Sequence, residues 1–144
     1  MKLIWPIRHS FVRYVRTVGG EIHLSDGARE GSDGFVFPQA VDCSPVGSGT
    51  GTRFAGAIRF VAHGGLLDVT VANPSVRLID GSGAIDIDQG DGVRFEFGRL
   101  NEGEGSDVAT ATIRMTVTGA RLLGDVYSPG DFLDPMRVDG QPDA

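Results

Sequence analysis

The sequence predicts an all-β, mainly antiparallel fold, a β-sandwich or partly closed barrel with one short N-terminal α-helix. Three observations predict it. Residues 53–63, 67–71, 93–97 and 108–117 alternate apolar and polar side chains with the period of a strand. The 22 glycines fall mostly between such runs, where tight turns need them. Helical spacing is convincing only near the start, where Ile7, Phe11, Tyr14 and Val15 share one face.

With 144 residues, 40% apolar and 22% charged, the chain is expected to form a single domain over residues 1–144 with its own core. A net charge of −6 argues against nucleic acid as a partner, because phosphate recognition needs a basic field. The single Cys43 excludes an internal disulfide framework, a zinc site of several thiolates, and the Cys-x-x-Cys-His pattern of covalent cofactor attachment. The first six residues are too soon interrupted by Pro6 to read as a secretory signal, and no apolar run reaches membrane-spanning length. The expectation is a soluble chain without membrane insertion, cytoplasmic as written, or exported or cell-surface if it is an excised module. The oligomeric state stays open.

Taken in order, residues 5–14 read as the amphipathic helix. Pro6 suits its first turn and Gly19-Gly20 closes it. Tyr14 is thereby expected among the inward-pointing residues, with Arg8, Arg13 and Arg16 off that face. Residues 21–24 form a short strand turned by Ser25-Asp26-Gly27, and residues 34–37 form another, stopped by Pro38. A further short strand is expected over 39–43, and then a glycine-rich loop over 44–51. Across 53–63, Phe54, Ile58 and Phe60 take one face, while Arg53, Arg59 and His63 take the other. A strand over 67–71 ends before Asn73-Pro74. Residues 76–79 and 84–87 are joined by Asp80-Gly81-Ser82-Gly83, a hairpin signal. After the polar loop 101–107, residues 108–117 read as the longest strand, with Ile113, Met115 and Val117 inward.

Several familiar chemistries fail on spacing. Residues 80–91 are rich in aspartate, but the fifth, sixth and twelfth places of a calcium loop would be Ala84, Ile85 and Asp91. The glycine-rich segment 47–51 has no following Gly-Lys-Ser/Thr and leads into a strand, so it lacks the helix amides of a phosphate loop. Asn73-Pro74-Ser75 is blocked as a glycosylation acceptor by its proline. Cys43 reads as an inert thiol. His9 and His23 read as surface residues. His63 runs into Gly64-Gly65, where missing side chains let something approach the backbone. Pattern alone leaves two readings of Tyr14 and His63 open, packing residues with satisfied polar tips or members of a pocket.

A set of motifs in fixed order goes further. These are Trp5 with Ser10-Phe11-x-x-Tyr14, Gly34-Phe35-x-Phe37-Pro38, and Phe54-x-Gly56-x-x-x-Phe60-x-x-His63-Gly64-Gly65-x-Leu67-Asp68, followed by Asn73-Pro74 and by Tyr127-x-x-Gly130-x-x-Leu133-Asp134-Pro135. In that order and spacing the chain resembles the HtaA domain family, haem-binding modules of actinobacterial haem-uptake systems. The resemblance implies a ferric haem held without a covalent bond, with Tyr14 as axial ligand to the iron. It implies that His63 supports Tyr14 by a hydrogen bond and that Tyr127 belongs to the same group. Ser10 would meet a propionate and Phe11 the porphyrin face. The implied partner is a haem donor or acceptor protein, and the implied role is transport rather than catalysis.

The chemistry agrees with that implication. Free tyrosine ionises near pH ~10, so a phenolate at neutral pH needs a bound metal, which inverts the local acid–base logic. A histidine N–H aimed at the phenolate would orient and tune it. The alternative is a non-haem β-sandwich interaction module that binds protein or glycan through its loops, with Tyr14 anchoring the helix. Peroxidase-like turnover would need an acid–base pair beyond His63, and the sequence offers none.

Overall fold

The computed structural model describes residues 2–40, 50–79, 82–90, 92–100, 113–123, 127–128, 130–134 and 136–139. In chain order the elements are β1 (Lys2–Trp5), α1 (His9–Thr17), β2 (Glu21–Ser25), β3 (Arg29–Gly31), β4 (Gly34–Pro38), β5 (Thr50–Arg53), β6 (Ala57–Ala62) and a 3-10 turn at His63–Gly65. They continue as β7 (Leu67–Ile79), β8 (Ser82–Asp88), β9 (Arg94–Leu100), β10 (Ile113–Met115), α2 (Val117–Leu122), β11 (Phe132–Leu133) and β12 (Arg137–Asp139).

The strands form two antiparallel sheets. The smaller runs β12-β1-β4-β3, and the larger runs β11-β10-β9-β8-β7-β6-β2 with β5 added beside β7. The larger sheet curls into a half-barrel, as the sequence predicts. Alternation is visible in burial. Ile58, Phe60 and Ala62 of β6 point inward and Arg59 points out. Trp5, Phe11, Phe37, Phe54, Phe60 and Phe97 are fully buried, and Trp5 meets Phe97 edge-on at 5.8 Å. Among the described residues no helix is long and apolar enough to cross a membrane.

The hairpin between β7 and β8 is present, with Ile79 opposite Ser82. Asn73-Pro74, expected to end a strand, instead lies inside the 13-residue β7. The break appears as a bulge, because the register to β8 shifts between Ala72 and Ser75 and Asn73 takes φ 48°. Proline is tolerated there because the bulge needs no ladder donor at that point. On the other side of β7, the strand expected over 53–63 is split into β5 and β6. Asn73 N–H donates to Gly56 O at 2.8 Å and Phe54 N–H donates to Pro74 O at 2.8 Å across the two breaks. The buried Asp88 carboxylate accepts from Asn73 Nδ2 at 3.0 Å and from Gly90 N–H at 2.7 Å, which ties the bulge to the end of β8. Beside it, burial and the nearby Arg53 hold the Arg94 guanidinium below its ordinary pKa.

Two boundaries differ from the sequence reading. Residues 5–14 are not one helix with Pro6 in its first turn. Trp5 belongs to β1, opposite Phe35, and its indole N–H donates to Asp134 O at 2.9 Å. Ile7 takes φ 65° and turns the chain, so the helix starts only at His9 and runs on to Thr17. Tertiary pairing of β1 between β4 and β12 overrides a proline that sits well at a helix start. The second correction concerns Val117, expected inward on a strand. It opens α2 and is 55% exposed, because the Thr116 hydroxyl accepts from Gly119 N–H and caps a helix there. Ile113 and Met115 are buried as expected. Residues 108–112, the loops 44–49 and 101–107, and most of the strand expected over 39–43 lie outside the described residues. Gln39 forms a bridge to Phe54.

Candidate functional site

The site is built on the flank of α1. Phe11, Val12 and Val15 fill the core side of the helix, where Phe11 packs edge-on against Phe60 at 5.1 Å and Phe60 against Phe35 at 6.0 Å. Phe11 is only 1% exposed, so it supports the site from beneath and presents no face to a ligand. Tyr14, expected to point inward, is 39% exposed. At 100° per residue the buried arc is taken by positions 11, 12 and 15, which leaves Tyr14 on its edge with its hydroxyl outside the core.

Both helix ends are fixed by contacts distant in sequence. The first turn has no cap from its own Arg8 side chain, and Asp134 supplies one. Its Oδ2 accepts from His9 N–H at 2.6 Å, and its own N–H donates to Ile7 O at 2.9 Å. At the other end Gly20 N–H donates to Val15 O at 2.8 Å. A Cβ on Gly20 would stand 2.6 Å from Val61 O and 2.8 Å from Val15 Cγ1. Only glycine therefore allows the helix to lie this close to β6.

That placement brings the Tyr14 hydroxyl to 2.5 Å from His63 Nε2, with the rings tilted by 51° at 5.7 Å. His63 leaves β6 with φ 54°, and Gly64 and Gly65 follow at 66° and 97°. Left-handed backbone is costly for histidine and easy for glycine, so the turn holds His63 in a conformation it would not choose. Below the turn, Arg59 and Asp68 form a two-pronged pair at 2.7 and 2.9 Å. The Arg59 hydrogen bonds hold the Asp68 carboxyl below its ordinary pKa.

One helical turn before Tyr14, Ser10 continues the exposed strip. Its Oγ lies 2.6 Å from Tyr127 Oη, and Arg8 Nε donates to the same Oγ at 3.1 Å. Tyr127 is half-buried against the core, with the Arg8 guanidinium 5.1 Å over its ring. Four of the five residues singled out in the sequence (Ser10, Tyr14, His63 and Tyr127) thus meet in two hydroxyl-centred contacts on one strip. Nearby in sequence, Leu66 (three residues after His63) is 92% exposed and Val18 (four after Tyr14) is 40% exposed. His9 and His23 stand apart, each beside a carboxylate, Asp134 at 3.7 Å and Glu21 at 3.0 Å. Among the described residues no group of three or more His, Cys, Asp or Glu gathers to hold a metal ion. The sequence places Arg8 only among three off-face arginines and gives Asp134 no part in the site. Asp134 stood in a motif, but nothing local tells that it caps a helix 125 positions away.

The structure thus combines a curled antiparallel sheet with a phenol–imidazole pair held between a helix flank and a glycine turn. The HtaA family model matches residues 1–139, and the chain belongs to that family. Its fold is similar to the C-terminal domain of HtaA from Corynebacterium glutamicum, with 26% identity and a TM-score of 0.72 over 94% of this chain and 92% of that one. The N-terminal domain of the same HtaA gives 23% identity and a TM-score of 0.74, covering 94% of this chain and 93% of that one. The haem-binding protein HtaB of that organism shares the fold at 18% identity, with a TM-score of 0.74 over 94% and 89% of the two chains. Comparison with curated sequences finds no match.

Proposed function

We propose that this domain binds ferric haem without a covalent bond and passes it to or from a partner protein, a haem donor or acceptor. The observation that carries the reading is the partly exposed Tyr14, its hydroxyl held 2.5 Å from His63 Nε2. Family membership and the haem-binding HtaB neighbour support it. The donor set fits the group, because a hard phenolate oxygen suits ferric iron and tyrosine is an established haem ligand.

In this reading Tyr14 would hold the iron through its hydroxyl oxygen, and His63 would support that oxygen. His63 Nε2, 2.5 Å from the Tyr14 hydroxyl, would orient it when it holds the iron. Ferric iron supplies the positive charge that keeps the phenolate form at neutral pH. Ser10 and Tyr127 would address a propionate, and Leu66 and Val18 would lose apolar surface to water-exclusion by the porphyrin. The imidazole is committed to the ligand oxygen, so the role is binding and transfer rather than catalysis.

Titrating the purified domain with haemin tests this. Saturation at one haemin per chain with a ferric Soret band is expected, and Tyr14→Ala should abolish or shift that spectrum while Tyr127→Phe alters it less. An unchanged spectrum in Tyr14→Ala would exclude the ligand assignment. No stoichiometric binding by the wild type would favour a non-haem interaction module.

A further inference from the structure

Arg8 is partly exposed, and its contacts tie β11 to the Ser10–Tyr127 pair. It donates through Nη1 to Phe132 O at 2.7 Å and through Nε to Ser10 Oγ at 3.1 Å, and its guanidinium lies over the Tyr127 ring. Among the described residues no carboxylate pairs with it. Asp134 accepts from His9 N–H instead. Arginine keeps its charge at any relevant pH and is only a donor. A partly buried cation without a counter-ion raises the question of which anion it serves.

The hydroxyl pair answers it. Ser10 and Tyr127 carry two O–H protons, and one is used between them at 2.6 Å. Arg8 occupies one acceptor position on Ser10. Whichever hydroxyl donates within the pair, one proton is left to donate outward, beside a fixed positive charge. Such an arrangement favours an ionised oxygen over a neutral one, because a charge-assisted bond is shorter and stronger.

We infer that Arg8 is a positioning residue for carboxylate recognition, acting through Ser10 and Tyr127 to aim one hydroxyl proton at an anionic oxygen of the ligand. The inference rests on the haem reading, whose ligand carries two propionates, and it adds the residue that makes the strip select for them. Phe132 O holds the guanidinium in place, so β11 takes part in ligand selection.

The test compares haemin with its dimethyl ester, which has the same iron and ring but no carboxylate. Wild type should bind the diacid tighter by about tenfold. In Arg8→Gln that ratio should fall, and the Arg8→Gln/Tyr127→Phe double variant should lose no more than the larger single loss, because Arg8 acts through the hydroxyl pair. A wild-type ratio in Arg8→Gln overturns the inference. Losses that multiply in the double variant also overturn it, since Arg8 would then meet the carboxylate by itself. Ser10→Ala guards against misfolding, because it spares the Arg8–Phe132 bond and removes only the middle of the relay. It too should lose the preference, and retention counts against the inference. A fold defect would weaken both porphyrins alike and leave the ratio unmoved. Failure of the haem reading looks different, with neither porphyrin binding wild type better than Tyr14→Ala, and it removes this inference as well.

Discussion

The Tyr14 hydroxyl and His63 Nε2 lie 2.5 Å apart although 49 positions separate them in the chain. One sits on a helix flank and the other on a turn whose three residues all have positive φ. The contact holds because the helix is set against β6 by Phe11 and Phe60 and because the turn fixes the imidazole. It leaves the phenol oxygen in reach of a ligand.

His63→Gly separates stability from binding. Glycine adopts φ 54° without the penalty that histidine bears, so the ligand-free fold should be at least as stable as wild type. Removing the hydrogen bond to Tyr14 should weaken haemin binding by about 10- to 100-fold. Thermal melts and haemin titrations on one preparation check both. A clear loss of stability would mean that the histidine is a structural anchor.

Asp134→Ala removes the helix cap that arrives from the C-terminal segment. Loss of the 2.6 Å bond to His9 N–H should cost about 1 kcal/mol. The Trp5 and Ile7 contacts use the Asp134 backbone and should survive. Denaturant unfolding measures the cost, and amide exchange should rise first at the start of α1.

Gly20→Ala forces a Cβ against Val61 O and Val15 Cγ1. Helix and sheet must part, at about 1–3 kcal/mol. The separation should also move Tyr14 from His63. Haemin affinity should therefore fall in a variant that touches neither residue, and intact affinity with lowered stability would show that the site tolerates the shift.

Asp68 should titrate below an ordinary aspartate in the folded protein, because its carboxylate accepts from Arg59. A lowered folded pKa means that its contribution is present above the unfolded value near ~3.9 and is lost as pH falls through the folded value. Both side chains are well exposed, so the effect is small and screened by salt. An NMR titration of the carboxyl carbon measures it, and Arg59→Gln should return the value toward normal.

Much of this architecture is legible in the chain. Ile58 and Phe60 go in and Arg59 goes out because a strand has period two and one face must leave water. The helix was legible as an amphipathic run and its end at Gly19-Gly20 as a stop. Its start was not, because Pro6 suits a first helical turn while Trp5 earns more by pairing opposite Phe35 and bonding to Asp134. Val117 misled in the same way, since an alternating pattern runs straight into a threonine cap. Tyr14, Ser10, His63 and Tyr127 stand out through the motif order that the family shares, whereas periodicity alone puts Tyr14 inward and the structure leaves it 39% exposed.

The sequence by itself determined the class of fold, the alternation that makes its core, and the residue types on which the proposed chemistry depends. Which of them meet is implied by family resemblance only for Tyr14 with His63, and only the tertiary structure decided the contacts themselves. Tyr14 finds His63, Ser10 finds Tyr127, and Asp134 finds His9 through side chains 49, 117 and 125 positions apart. Local pattern carries no information about such distances. They are set by how a curled sheet closes and by the close approach that Gly20 permits, so burial and excluded volume, not propensity, turn a strip of polar residues into a site.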